Sequence, residues 1–187
     1  MIAPPLPTLK QLLTEGVVTY DSREAPAEGF TLGIDPGQNG ALVIYHPDAK
    51  HLILLDMPTI EVRVAKTTKR RVDLYQLGNW LDIHRSMCRG AIIEEVTSSP
   101  QMGVASAFSF GFSAGAVQAA VAANAIPIRM VRPQEWKSKF GLLRQDKDAS
   151  RLVASRIAPQ FAHHWPLKKH DGRAEAFLLA YYGAKTT

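Results

Sequence analysis

Hydrophobic and polar positions fall into short ordered blocks from residue 30 onward. Phe30 to Asp35 is an apolar run ending on an acid, Pro36-Gly37-Gln38-Asn39-Gly40 is a turn, and Ala41 to Tyr45 is a second apolar run, a pattern that predicts a β-hairpin. His51 to Met57 supplies a third apolar strand closed by Pro58, and three successive antiparallel strands are the simplest reading. A basic loop, Lys66 to Arg71, then leads to a helix near Asp73 to Met87 whose Leu74, Leu77, Leu81 and Ile83 are spaced for one face. Ala91 to Glu94 reads as a short buried strand and Ile126 to Val131 as another. Between them, Gly103 to Ala125 is an uncharged helix rich in Ala, Gly and Ser. Pro133 to Phe140, with proline in its first turn, Lys147 to Ile157 and Asp171 to Tyr182 complete the helices. On the last, Ala174, Phe177, Leu178 and Tyr181 form the inner side. The order β-β-β-α-β-α-β-α-α predicts a mixed α/β domain over residues 29–187. Residues 1–28, with Pro4, Pro5, Pro7 and Pro26, form an N-terminal extension.

Composition narrows the class. The 187 residues suffice for one domain with a real core, and 46% hydrophobic with 21% charged residues is ordinary globular usage. No signal peptide is recognisable and no apolar run approaches the roughly 20 residues of a membrane span, so a soluble, cytoplasmic protein without a membrane partner is expected. The single cysteine, Cys88, excludes an internal disulfide and a cysteine zinc cluster, and reads as a small packed side chain. A net charge of +5 is a mild argument for a polyanionic partner.

The acids carry more information than the charge balance. Asp35 and Glu94 each end an apolar strand, where a charge is costly unless paired or ligating a metal. Asp171 and Glu175 stand four apart at the start of a helix, hence on one face. Singly, each has an ordinary role as turn initiator, ion-pair partner, helix cap or first-turn acid. If the two strands are neighbours and the last helix packs beside them, four carboxylates converge. Such a group needs cations, and oxygen ligands select Mg²⁺ or Mn²⁺. Two Mg²⁺ per site would suit phosphodiester hydrolysis.

Several motifs in register extend this reading. Gly33-Ile34-Asp35-Pro36-Gly37, Ile92-Ile93-Glu94-Glu95-Val96, Pro100-Gln101-Met102-Gly103-Val104 with Phe108-Ser109-Phe110-Gly111, Pro133-Gln134-Glu135-Trp136-Lys137 and His170-Asp171-Gly172-Arg173-Ala174-Glu175-Ala176 resemble successive motifs of the RuvC Holliday-junction resolvases, bacterial and phage type. The resemblance spans about residues 30 to 183. It implies a ribonuclease H-like fold, with a mixed five-stranded sheet, three antiparallel strands then parallel ones, flanked by helices. It also implies a two-metal site, a homodimer, and symmetric nicking of four-way DNA junctions that leaves 5′-phosphate ends. On this resemblance Asp35, Glu94, Asp171 and Glu175 are the catalytic and metal-binding acids. Lys137 and Lys147 fall near basic positions at the scissile phosphate or junction backbone. Lys66, Lys69, Arg70 and Arg71 are further candidate phosphate contacts, as are Lys168 and Lys169.

The chain also departs from the family. Its last two acids are four apart rather than three, and the second is a glutamate. Glu95 follows Glu94 and either could be the ligand; the motif register selects Glu94. Thr97 stands where some members carry an aromatic that wedges the junction. A ribonuclease H-fold nuclease for flaps, other branched DNA or RNA–DNA hybrids is the alternative activity. His163 and His164 read as surface or packed histidines, His170 as a loop histidine, and Trp80, Trp136 and Trp165 as packing residues. Part of the helix Gly103 to Ala125 and its flanking turn, including Phe112 and Gln118, is expected near the two-fold axis of the homodimer. Complete cover by its own sheet is the alternative.

Overall fold

The computed structural model describes residues 18–19, 26–64, 67–97, 101–146 and 148–186. Its centre is a sheet of β2 (Phe30–Ile34), β3 (Ala41–His46), β4 (His51–Asp56), β7 (Cys88–Glu94) and β8 (Ile128–Val131) in the order β4-β3-β2-β7-β8. The β2-β3 and β3-β4 pairs are antiparallel, whereas β2-β7 and β7-β8 are parallel. This is the mixed five-stranded sheet expected from the sequence. A two-residue strand, β1 (Val18–Thr19), adds antiparallel to the outer edge of β4, so part of the N-terminal extension joins the sheet.

Helices cover both faces, and the alternation of strand side chains assigns each residue to one of them. Phe30, Leu32, Ile34, Leu42, Ile44, Ala91 and Ile93 share one core with Leu77, Trp80 and Leu81 of α1 (Leu74–His84) and Val117 and Val121 of α2 (Val104–Ala123). Ala41, Val43, Tyr45 and Ile92 face the other core, with Trp136 of α3 (Pro133–Lys139), Ala154 of α4 (Asp148–Ile157) and the long buried side of α5 (Asp171–Thr186). Asp73 caps α1 by accepting N–H bonds from Tyr75 and Gln76 at 3.0 and 3.1 Å. The inner face of α1 is Leu77, Trp80 and Leu81; Leu74 and Ile83 are exposed, because Leu74 is the helix's first residue and helical periodicity turns Ile83 well away from Leu77 and Leu81.

Two expectations need correction. The basic segment after Met57 is half of a second, two-stranded sheet: β5 (Thr59–Val64) pairs antiparallel with β6 (Thr67–Val72), so Lys69, Arg70 and Arg71 stand on a strand. Thr67, Thr68 and Val72 give it extended propensity, and Val72 anchors its end in the core. Second, α2 reaches by length and composition what a bilayer span requires, with a mean hydropathy of 1.4 over its best window. Ser113, Ala114, Val117 and Val121 nevertheless tie one side of it to the core of this α/β fold. Its other side is open, with Val104, Phe108 and Phe112 exposed, so its own sheet does not cover it.

Candidate active site

Parallel register brings the first two acids together. Ile34 is the partner of Ile93, so the next residues, Asp35 directly after β2 and Glu94 at the end of β7, lie at the same level on adjacent strands, roughly 5 Å apart in backbone. Alternation sends both toward α5: Ile34 and Ile93 point into the α1–α2 core, and the residues that follow them point the opposite way. Glu95 points away and pairs with Arg132 at 3.4 Å, which leaves Glu94 as the acid facing the site.

The helix that carries the other acids is seated by glycines. A Cβ on Gly33 would lie 2.2 Å from the Ala176 carbonyl oxygen and 2.3 Å from the Ala180 nitrogen, so α5 lies flat on β2 only because that side chain is absent. At the start of α5, a Cβ on Gly172 would meet the Asn39 carbonyl oxygen at 2.5 Å and an Asp35 carboxylate oxygen at 3.0 Å. The first turn of α5, with Asp171 and Glu175, is thereby pressed against the Asp35–Gly40 turn. That turn is itself fixed by Gly37 N–H donating to Asp35 Oδ1 at 3.1 Å and Asp35 N–H donating to the Ala41 carbonyl at 3.1 Å. Arg173 adds a two-pronged ion pair to Asp56 at the end of β4 and donates to the His164 carbonyl at 2.9 Å.

Each acid has a defined partner. Lys137 Nζ sits 3.1 Å from Glu175 Oε1 and 3.9 Å from Glu94 Oε1, and so joins the two carboxylates. The Trp136 indole N–H donates to Glu94 Oε1 at 3.0 Å, and the Ser150 hydroxyl donates to Glu175 Oε1 at 3.0 Å. Arg151 Nε donates to Asp171 Oδ1 at 2.9 Å while its Nη2 donates to Asp148 at 2.7 Å. Asp35 has no such cation in direct contact among the described residues. Burial pushes its carboxyl up to about 7 against the opposing Gly37 N–H; Glu175 and Glu94 add to the rise and Lys137 offsets part of it. Burial also raises Glu94, opposed by Lys137, increased by Glu175 and opposed again by the Trp136 N–H.

These groups border a cleft of about 820 Å³ whose walls include Asp35, Lys137, Asp171 and Glu175, with Arg70, Lys168 and Lys169 among its basic lining. Among the described residues, no three His, Cys, Asp or Glu side chains converge closely enough to hold one ion. Asp171 is held by Arg151, and the Lys137 ammonium stands between Glu94 and Glu175. The donor chemistry fits a hard divalent cation even so: the acids offer oxygen only, and a protein cation already stands between two of them. Asp35 feels the charges of both Glu175 and Glu94, so these three are the acids that would hold a cation, while Asp171 is engaged by Arg151.

The basic candidates separate. Lys137 is in the site and Lys168 and Lys169 are at its rim. Lys69 and Arg71 are exposed on β6, on the face opposite Arg70 by strand alternation. Arg70 is exposed as well, but its side chain is tied to the turn after β2: its Nη2 donates to the Gln38 carbonyl and to Asn39 Oδ1, and Gln38 Nε2 donates to the Arg70 carbonyl at 2.9 Å. Lys66 and Lys147 lie outside the described residues. Cys88 is a packed thiol that burial pushes up to about 12, which removes it from nucleophilic chemistry near neutral pH. Trp136 and Trp165 are fully buried, and His164 is buried as well.

No family model matches the sequence, and no curated protein does. The likeness lies in solved structures. The Thermus thermophilus RuvC in complex with a Holliday junction substrate superposes with a TM-score of 0.50 at 17% identity, over 84% of this chain and 96% of that one. This chain has the RuvC-like fold. A second Thermus thermophilus RuvC structure covers 85% of this chain and 98% of that one at 19% identity, with a TM-score of 0.49. Within the RuvC-like frame, the residues that sequence reading missed are the partners of the acids: Ser150 and Arg151 on α4 and the N–H of Trp136. Trp136 announces itself only as an apolar position, and the helical pattern around Ser150 and Arg151 gives no sign of which carboxylate they meet.

Proposed function

We propose that this protein is a divalent-metal-dependent DNA endonuclease that nicks four-way junctions. The observation that carries the proposal is the placing of Lys137 between Glu94 and Glu175, with Asp35 level with Glu94 at the carboxyl ends of two parallel strands, and with Asp35, Lys137 and Glu175 on the wall of a cleft that also has Lys168 and Lys169 in its lining. The RuvC-like fold supports it, since the structural neighbour with the higher TM-score is described in complex with a Holliday junction substrate.

Asp35, Glu94 and Glu175, joined by Asp171, would hold Mg²⁺ or Mn²⁺. Bound there, two such ions supply an activated water and stabilise the departing oxygen of a phosphodiester. The chain's own residues do the rest. Lys137 neutralises the acids before DNA arrives and offers its ammonium to a phosphate oxygen once they are otherwise balanced. Trp136 and Ser150 fix the carboxylates they bond, so the ligand oxygens do not have to reorganise. Lys168 and Lys169, in the cleft lining, hold the sugar-phosphate backbone beside the acids, and Lys69 and Arg71 on the exposed ribbon offer further phosphate contacts away from it; these contacts position the strand without reading its sequence.

Two equivalent strands of a junction require two sites related by a two-fold axis, so the working unit in this proposal is a homodimer. The open side of α2 supports it, with Val104, Phe108 and Phe112 one turn apart on an exposed apolar stripe.

The test is incubation with a synthetic four-way junction and a linear duplex of the same sequence, with Mg²⁺ or with EDTA. Paired nicks in the junction alone, dependent on Mg²⁺, are expected. Preferential cleavage of a flap or an RNA–DNA hybrid would replace the junction by that substrate, and no cleavage of any of them would end the nuclease reading.

A further inference from the structure

We propose that Arg70 is a positioning residue: it clamps the Gln38–Asn39 turn and thereby couples the β5–β6 ribbon to the placement of Asp35. The inference rests on the nuclease reading of the cleft.

The ribbon is an appendage to the sheet, and most of β6 is exposed. Among the described residues, β6 also lies against α2, and two contacts tie the ribbon to the site and the core beside it. Val72 anchors the end of β6 in the core, and Arg70 reaches the turn that follows β2. The second link is reciprocal, because Arg70 donates from its guanidinium to the Gln38 carbonyl and the Asn39 side chain, and receives the Gln38 amide on its own carbonyl. Two acceptors of the turn engage the same Nη2 and so tie the exposed Arg70 guanidinium to the Gln38–Asn39 turn, whereas Lys69 and Arg71 alternate to the other face of the ribbon.

The clamped turn decides where Asp35 sits. One end of it carries Asp35, whose carboxylate accepts from Gly37, and its Asn39 carbonyl is the group against which Gly172 and the first turn of α5 are packed. Asn39 therefore has Arg70 on its side chain and the acid-bearing helix on its backbone. Loosening the first contact releases the wall that keeps Asp171 and Glu175 close to Asp35.

The experiment uses the full chain with Arg70→Ala, Arg70→Lys and Asn39→Ala, each checked for folding by its thermal melt. Junction affinity is measured in the inactive Asp35→Asn background without metal, cleavage is measured at saturating DNA, and Mg²⁺ affinity is read from thermal stabilisation without DNA. Arg70→Ala should slow cleavage about tenfold or more and raise the half-saturating Mg²⁺, with junction affinity within about twofold of the parent. Asn39→Ala should do the same. Combining the two should add little, since both break one contact. Arg70→Lys should recover part of the rate, because an ammonium has donors for both acceptors. Loss of affinity in Arg70→Ala with wild-type cleavage at saturation would make Arg70 an ordinary phosphate contact and overturn the proposal, as would additive effects of Arg70→Ala and Asn39→Ala. A wild-type protein that neither cuts branched DNA nor is stabilised by Mg²⁺ would overturn the nuclease reading, and this inference with it.

Discussion

The ammonium of Lys137 lies 3.1 Å from a carboxylate oxygen of Glu175 and 3.9 Å from one of Glu94, so a protein cation sits between two acids of the cleft. Its removal leaves like charges facing each other in a site that excludes much of the solvent. Lys137→Met should lower stability in EDTA by about 1–3 kcal/mol, discounted from a fully buried pair because the side chains retain some exposure. Added Mg²⁺ should then raise the melting temperature of the variant more than that of the wild type. Calorimetry across a Mg²⁺ series checks both; equal melting temperatures in EDTA would refute the neutralising role. The same variant should bind junctions more weakly.

Asp35→Asn and Glu94→Gln keep shape and hydrogen-bonding volume but lose the charge that would hold a cation. Both should abolish Mg²⁺-dependent cleavage, by a factor of about 10³ or more, while leaving junction binding in place. Gel-based cleavage and binding of the purified variants decide it. Full activity of either at saturating metal would remove that residue from the site.

Burial holds the Asp35 carboxyl at about 7, well above its ordinary 3.8. Below about pH 4 it is protonated in both folded and unfolded chains, so its favourable contribution is complete there. Between pH 4 and 7 the unfolded chain releases the proton first, and the contribution is lost as pH rises through 7. In EDTA the melting temperature of the wild type, relative to Asp35→Asn, should therefore fall across this window. A parallel pair of curves from pH 4.5 to 7.5 would show that the group titrates normally.

Gly172 is read as a contact surface for the Asp35 turn. A methyl group there would sit 2.5 Å from the Asn39 carbonyl oxygen, so Gly172→Ala must push the first turn of α5 outward. Cleavage should drop by about 10²-fold, the scale of an ångström-sized misplacement of reacting groups, and the fold should lose about 1–3 kcal/mol. Unaltered kinetics in this variant would mean that the approach of α5 to Asn39 is not needed.

Assembly is tested through Phe112, which is 56% exposed in the single chain. Phe112→Arg places a charge on the open stripe of α2 without burying it in the monomer, so the fold should persist while a dimer comes apart. Light scattering at micromolar concentration, with and without a junction, should read dimer mass for the wild type and monomer mass for the variant. Monomer mass for the wild type in both conditions would exclude paired nicking by two symmetric sites.

The sequence alone specified the five strands of the central sheet and the acids at the ends of two of them, but not the β5–β6 ribbon or β1. Buried strands are written as apolar runs bounded by turns, and an acid at the end of such a run stands out because burial of a charge is costly. Asp35 and Glu94 were legible for that reason, and Asp171 and Glu175 because helical spacing puts them on one face. The basic residues were legible only as charge. Nothing in the order Lys69-Arg70-Arg71 distinguishes a loop from a strand edge, or shows that of the three Arg70 is the one that donates to Gln38 and Asn39. Tertiary structure decided these matters because they depend on register and close approach between distant segments. Pairing Ile34 with Ile93 makes Asp35 and Glu94 neighbours, and the missing side chains of Gly33 and Gly172 let α5 lie against β2 and the turn that follows it. A periodic pattern records which face of an element is apolar; it carries no information about which residue of another element comes to rest 3 Å away.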